Sequence, residues 1–281
     1  MHTEAESDLG RVPAVAPAKP RGWSVTDVPA WICSLVLLAL FLGAWEAFVR
    51  MMKVSPFILP PPSEIGAEWL RGLATASLWH HTWVTAVETL GGFLIALVVG
   101  VGLGAPLGRS PWLEKILNPF IVTTQVVPKV AVVPLFVLWF GFGLSSKVLV
   151  AAMLAFFPIL TNTILGVKSV SRGHRDVMIT LNATRWQTFR NVELPNAMPY
   201  IITGMEVGIV LAIIGAVVGE YLGGNQGLGA LAVKDMNSYN TVKLFATIIH
   251  MSLLGFVFYA AIGACRRFAT PWHESVQSKQ V

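Results

Sequence analysis

The stretch TLNATRWQTFRNVELPNAMP, residues 180–199, is polar, carries Arg185, Arg190 and Glu193, and ends in two prolines four residues apart. It lies between two long apolar runs, 148–167 and 201–221. Just before it, Asp176 opens a short run in which Val177, Met178 and Leu181 form one apolar edge of a helix. Asn182 follows, the residue after Gly that best tolerates the left-handed conformation at a helix end. Thr184 is placed to cap a second helix that begins with Arg185 and Trp186. Trp186, Phe189 and Val192 form a second apolar edge. Leu194-Pro195 is expected to end that helix, because a residue before proline is pushed out of the helical region. Pro199 is expected near the first turn of the next apolar run, where proline is tolerated. The result is a compact helix–turn–helix with exposed apolar residues rimmed by arginines, the profile of a protein-docking surface.

The rest of the chain explains why such a polar interruption stands out. Of 281 residues, 54% are hydrophobic and 12% charged, against about 25% charged in soluble domains. A helix crosses a bilayer with roughly 20 predominantly apolar residues. Six runs reach or approach that length: 31–49, 90–107, 119–142, 148–167, 201–221 and 244–265. The fold class expected is all-α, a polytopic membrane protein with six transmembrane helices. Cys33 and Cys265 each fall inside a span, so neither a disulfide framework nor a metal spacing follows. Residues 1–29 read as a disordered tail and 30–50 as a retained anchor helix with no evident cleavage site. Residues 51–82 read as an outer segment, 83–265 as the core and 266–281 as a second tail. Lys and Arg number thirteen on the side holding both termini and six on the other. The positive-inside rule therefore puts both termini in the cytoplasm. The net charge of +5 is spread over four segments on that side, which argues against nucleic-acid binding.

Outside the spans, Pro60, Pro61 and Pro62 precede an expected amphipathic helix capped by Ser63 and carrying Ile65, Trp69, Leu70 and Leu73. Trp69, Trp79 and Trp83 suit an interfacial belt. His80 and His81 are neighbours in sequence and do not share a helix face, so they are not read as a metal pair. Gly100, Gly104 and Gly108 recur every four residues and mark a face for close helix packing. Gly100, Gly102, Gly104 and Ala105 resemble a dinucleotide motif only superficially, for they sit inside an apolar helix.

QVVPKVAVVPLFVLWFGFG, residues 125–143, holds Pro128 and Pro134, each expected to remove a backbone donor and bend or break the helix, with Lys129 beside the first. A broken span points to a cavity or pathway. The candidate pathway residues are Pro128, Lys129, Pro134, Trp139, Glu206 and Glu220. Glu88 and Glu220 lie near span ends, where water is in reach, and Glu206 is expected to pair with a cation or line an entrance. The cluster Gly223, Gly224, Gly227 and Gly229 reads as a turn-rich loop, either a flexible connector or an outer gate or docking surface. There is no P-loop, nucleophile elbow, zinc-protease motif or Cys/His cluster in the chain. Any uphill transport must draw on an ion gradient or another subunit.

The hairpin resembles the EAA loop of ABC-transporter permeases of the binding-protein-dependent importer superfamily. That loop runs E-A-A-x-x-x-G and, about nine residues on, I-x-L-P. Asp176, Val177, Met178 and Asn182 occupy the first set of positions, and Val192-Glu193-Leu194-Pro195 the second. FILPPPSEI, VVPLFVLWFGFG, AFFPILTNTILGVKSV, TLNATRWQTF and VVGEYLGGNQGLGALA are similar to the nitrate/sulfonate/taurine subfamily, so the resemblance covers residues 56–264. Lys129 and Glu206 depart from that subfamily and suggest an altered substrate or a buried pair with each other. The resemblance implies a type I importer permease of the bacterial inner membrane, working as a homodimer. It implies two partner ATPase subunits that hold ATP and Mg, leaving no cofactor or metal on this chain. It implies a periplasmic or lipid-anchored solute-binding protein and a small anionic solute. Asp176, Leu181, Asn182, Ala183, Thr184, Arg185 and Trp186 are the ATPase-coupling residues it implies. An ion-coupled transporter or channel without an ATPase is the alternative.

Overall fold

A computed structural model describes residues 29–270; the two expected tails lie largely outside these residues. The chain divides into two units, residues 1–48 and 49–281. In the first, helix α1 (Ala30–Met51) is apolar almost throughout. Its 22 residues span about 33 Å at 1.5 Å per residue, enough for a hydrocarbon core of about 30 Å.

The second unit begins with α2 (Pro62–Leu73). Its N-cap is Pro61 and Pro62 is its first residue, so Ser63 is not the cap; its hydroxyl instead accepts from Arg50 Nη2 at 3.1 Å. Proline suits the first turn because its missing N–H would be unpaired there anyway. Helix α3 (Ala76–Arg109) starts earlier than the hydropathy suggested, because Thr75 caps it through the Leu78 amide and nothing breaks it before Ser110. His80 and His81 therefore lie on this long helix rather than in an outer segment.

Helices α4 (Pro111–Val126) and α5 (Lys129–Phe140) are bent by 89° across Val127-Pro128. Val127 is extended, at ψ 126°, as a residue before proline should be. Pro134 does not break the chain. It lies inside α5, where it removes a single backbone donor. The break thus falls at Pro128.

Helix α6 (Leu144–Lys168) is the centre of the bundle, with Val150, Ala151, Ala155 and Ile159 fully buried. It packs between α3 and α9 (Leu194–Gly223). Gly100, Gly104 and Gly108 do face α6, where an added Cβ would come within 2.9 Å of Ile159, Thr163 and Val167 atoms respectively. Gly102, off that face, meets open space. Small residues let the backbones close up, which is how helices gain contact where lipid offers no hydrophobic drive.

Helices α10 (Leu228–Asn237) and α11 (Thr241–Ala269) complete the bundle, so residues 266–269 continue a helix rather than begin a tail. His250 on α11 fastens α2 to the bundle. Its Nδ1 accepts from Trp69 Nε1 at 3.3 Å, and its Nε2 lies 2.9 Å from Thr82 Oγ1. The Thr82 hydroxyl hydrogen goes to the Leu78 carbonyl at 2.7 Å, so His250 donates through Nε2 and is neutral. Among the described residues five helices are long and apolar enough to span a membrane, six with the bent pair as one.

Candidate functional site

The interruption between α6 and α9 folds as a hairpin. Helix α7 (Arg172–Thr180) starts four residues before Asp176, because Ser171 caps it through the His174 amide. It ends where the amides of Asn182 and Ala183 turn back to the carbonyls of Ile179 and Met178. That reversal needs a left-handed residue, and Asn182 supplies it at φ 52°. Thr184 then opens α8 (Arg185–Thr188) with a reciprocal cap: Gln187 N donates to the threonine hydroxyl, and Thr184 N donates to Gln187 Oε1 at 2.8 Å.

Leu194-Pro195 does not end this helix. Phe189–Glu193 forms a π turn, closed by Leu194 N bonding to Phe189 O, and the chain runs helically into α9. The wide turn accommodates Pro195, which has no N–H to give. Leu194 stays helical at φ −63°. Pro199 consequently lies inside α9 rather than at its entry.

The outer edge of the hairpin is apolar. Val177, Ile179, Leu181 and Trp186 are 57–71% exposed. Met178, expected on that edge, turns half inward and Ile179 takes its place. Trp186 stacks loosely on Phe189 at 5.7 Å between ring centroids. Asp176, Asn182, Thr184 and Arg185 are exposed beside the ridge, and Ala183 is half-buried in the turn.

The other predicted residues do not form one site. Lys129 Nζ bonds the Gln125 carbonyl at 3.2 Å and lies 5.0 Å from the Phe157 ring centroid. It borders a cavity of about 540 Å³ at the break, with Pro128, Phe157, Thr161 and Leu211. Glu206 is not its partner. Glu206 Oε2 pairs with Arg266 Nη2 of α11 at 2.7 Å, and the same guanidinium reaches Thr203. Trp139 is exposed on α5 with its ring against Phe136.

Glu88 and Glu220 do not reach water; each is 1% exposed. Lys147 Nζ sits 3.1 Å from Glu88 Oε1. Glu220 accepts from Thr85 Oγ1 and from the Gly229 amide, both at 2.6 Å. Thr85 in turn accepts from Leu228 N, and His81 Nδ1 accepts from Gly227 N. These bonds pin the glycine loop against α3, so it is a fastened cap and not a loose connector. Gly227 must be glycine: its φ is +101°, and a Cβ there would overlap the Glu220 carboxylate. A cleft of about 620 Å³ opens above the pair, between Trp83, Phe142, Tyr221 and Gln226. Sequence spacing gave no sign of this cluster, since its members come from four separate helices and a loop.

On α10, burial pushes the Asp235 carboxyl above its ordinary range, partly offset by the Thr247 hydroxyl and by Lys243 and Lys234. Among the described residues no group of three or more His, Cys, Asp or Glu is placed to hold a metal.

A helical bundle with one broken span and an apolar hairpin beyond its membrane helices is the architecture of a multi-pass transport subunit. The chain belongs to the family described as the inner membrane component of binding-protein-dependent transport systems, whose model matches residues 92–268. It is 37% identical over 240 residues to the riboflavin transport system permease protein RibX of Chloroflexus aurantiacus, covering 85% of this chain and 90% of that one. To the formylaminopyrimidine transport permease protein ThiX of Halalkalibacterium halodurans it is 35% identical, over 82% of this chain and 91% of the relative. To the taurine transport system permease protein TauC of Escherichia coli it is 31% identical, over 87% and 90%. Its fold matches an inward-facing structure of the MetNI methionine ABC transporter with a TM-score of 0.62 at 18% identity, over 69% of this chain and 96% of that one. The chain is thus an ABC importer permease and not an enzyme; ATP hydrolysis falls to a separate ATPase.

Proposed function

We propose that the 172–188 hairpin docks on the ATPase and that two copies of the chain form the pathway for a small anionic solute delivered by a binding protein. Both termini and the hairpin then face the cytoplasm, on the side richer in Lys and Arg. The observation that carries the reading is the exposed ridge of Val177, Ile179, Leu181 and Trp186, held rigid by the Asn182 turn and the Thr184 cap. A tryptophan on a stiff apolar ridge is the usual anchor of a protein interface. Asp176, Leu181, Asn182, Ala183, Thr184, Arg185 and Trp186 form or shape this contact. In reconstituted vesicles with the ATPase and binding protein, Trp186→Ala is expected to weaken ATPase retention about thirtyfold, the equivalent of about 2 kcal/mol. Asp176→Lys is expected to uncouple hydrolysis from uptake. Wild-type retention and uptake in both variants overturn the docking assignment.

For the solute, the support is Lys129, which is the sole charged residue lining the cavity at the break. A lysine held at membrane depth is costly and normally serves an ion path or a partner. Lys129→Gln is expected to lower uptake of an anionic solute at least tenfold while ATPase retention stays unchanged. Unchanged uptake removes Lys129 from the pathway. The relatives named for riboflavin, formylaminopyrimidine and taurine transport make a binding screen on the cognate solute-binding protein the way to name the solute.

A further inference from the structure

Glu193 is a buried carboxylate at the root of the hairpin, 4% exposed, and the docking surface does not use it. Its Oε2 lies 2.7 Å from Arg109 Nε and its Oε1 3.6 Å from Arg175 Nε. Arg109 is the last residue of α3 and Arg175 is on α7. The two arginines hold more than the carboxylate. Arg109 Nη2 donates to the Arg185 carbonyl at 3.0 Å, and its guanidinium lies 5.2 Å from the centre of the Phe189 ring. Arg175 Nη2 donates to the Val167 carbonyl, in the last turn of α6, at 3.0 Å. Glu193 itself is the last residue of the π turn that leads into α9.

One carboxylate therefore joins four elements: the ends of α3 and α6, the hairpin, and the start of α9. The arrangement follows from geometry. A π turn holds one more residue than an α turn, and each residue advances a helix by about 100°. The turn between Trp186 and Glu193 thus lets Trp186 point outward while Glu193 points into the bundle. Arginine is the suitable partner because its planar fork donates in several directions at once. A buried charge held from two sides resists displacement far better than a solvated loop, since separating it from its partners leaves it unpaired away from water.

We infer that Glu193, gripped by Arg109 and Arg175, is the positioning residue that converts movement of the hairpin into rigid-body movement of α3, α6 and α9. The inference rests on the hairpin being the ATPase contact. Without this joint, the hairpin follows the ATPase while the spans lag behind, so ATP is hydrolysed without transport. Rigid-body movement of packed helices is one of the ways a local displacement reaches a distant site.

The test uses the assembled permease, ATPase and binding protein in proteoliposomes, with uptake and hydrolysis measured together. Glu193→Gln keeps the side-chain shape and removes the charge. It is expected to leave ATPase retention and hydrolysis near wild type while uptake per ATP falls at least tenfold. Arg109→Lys, which keeps the charge and loses the fork, is expected to show an intermediate ratio. Exchanging the charges, with Glu193→Arg and Arg109→Glu together, is expected to restore part of the coupling that either change alone removes. A wild-type ratio in Glu193→Gln overturns the inference. So does a parallel fall of uptake and hydrolysis, or loss of the folded complex in all these variants, for each assigns Glu193 a merely structural role. If the docking reading is what fails, Trp186→Ala retains the ATPase and full coupling, a result independent of the uptake-per-ATP ratio in Glu193→Gln.

Discussion

Lys147→Met is expected to cost about 3–5 kcal/mol, the range for breaking a buried ion pair by removing one partner. Lys147 and Glu88 are both almost wholly buried, and their 3.1 Å contact lies beside the equally buried Glu220. Without the ammonium, the Glu88 carboxyl loses its partner while the Glu220 carboxyl stays buried beside it. The lysine also donates to the Gln226 carbonyl at 3.4 Å, so the glycine loop loses a tie as well. Thermal unfolding in detergent reads the effect, with a fall on the order of 10 °C for a chain of this size. Adding Glu88→Gln should recover part of the loss, because a neutral amide needs no ammonium beside it. An unchanged melting temperature in Lys147→Met would mean that water reaches the cluster.

Gly215→Leu is expected to abolish a stably folded permease, while Gly102→Leu is expected to change stability by no more than about 0.5 kcal/mol. Both are glycines in apolar helices, and a local reading treats them alike. At Gly215 a Cβ would lie 2.7 Å from Ala151 Cα and 3.0 Å from the Val150 carbonyl oxygen. Those are backbone atoms of α6 and have no rotamer to change. Overpacking a core typically costs 1–3 kcal/mol even where side chains give way. At Gly102 nothing lies within 4 Å. Yield of monodisperse protein and its melting temperature compare the two, and equal behaviour would refute the close α6–α9 packing.

Much of the hairpin is local physics, and that part was legible. Asn182 at a helix end and Thr184 just before Arg185 and Trp186 are short-range signals, and both act as read. The four-residue glycine repeat on α3 was equally legible, since a helix presents every fourth residue to one neighbour. The local rule failed at Leu194-Pro195. A π turn kept the chain helical there, and nothing short-range announces an i to i−5 bond. At Pro134 the local rule left bending or breaking open, and one helix absorbs the single lost donor.

Burial of charge could not be read. Glu88 and Glu220 look like acids near span ends, within reach of water, and Glu193 like one charge of a polar stretch. Their fate depends on Lys147, Thr85, Arg109 and Arg175, which come from other helices. Glu206 and Lys129, the two odd charges of the spans, suggested an altered substrate or a buried pair with each other, yet Arg266 holds one and Phe157 faces the other. By itself the sequence determined the class of protein, the spans, the Asn182 turn, the Thr184 cap and most of the apolar ridge, because hydropathy, helix period and turn chemistry act within a few residues. Tertiary structure alone decided which charges are buried, which glycines are indispensable and how the hairpin grips the spans. Those properties depend on contacts between segments far apart in the chain, and no local pattern encodes them.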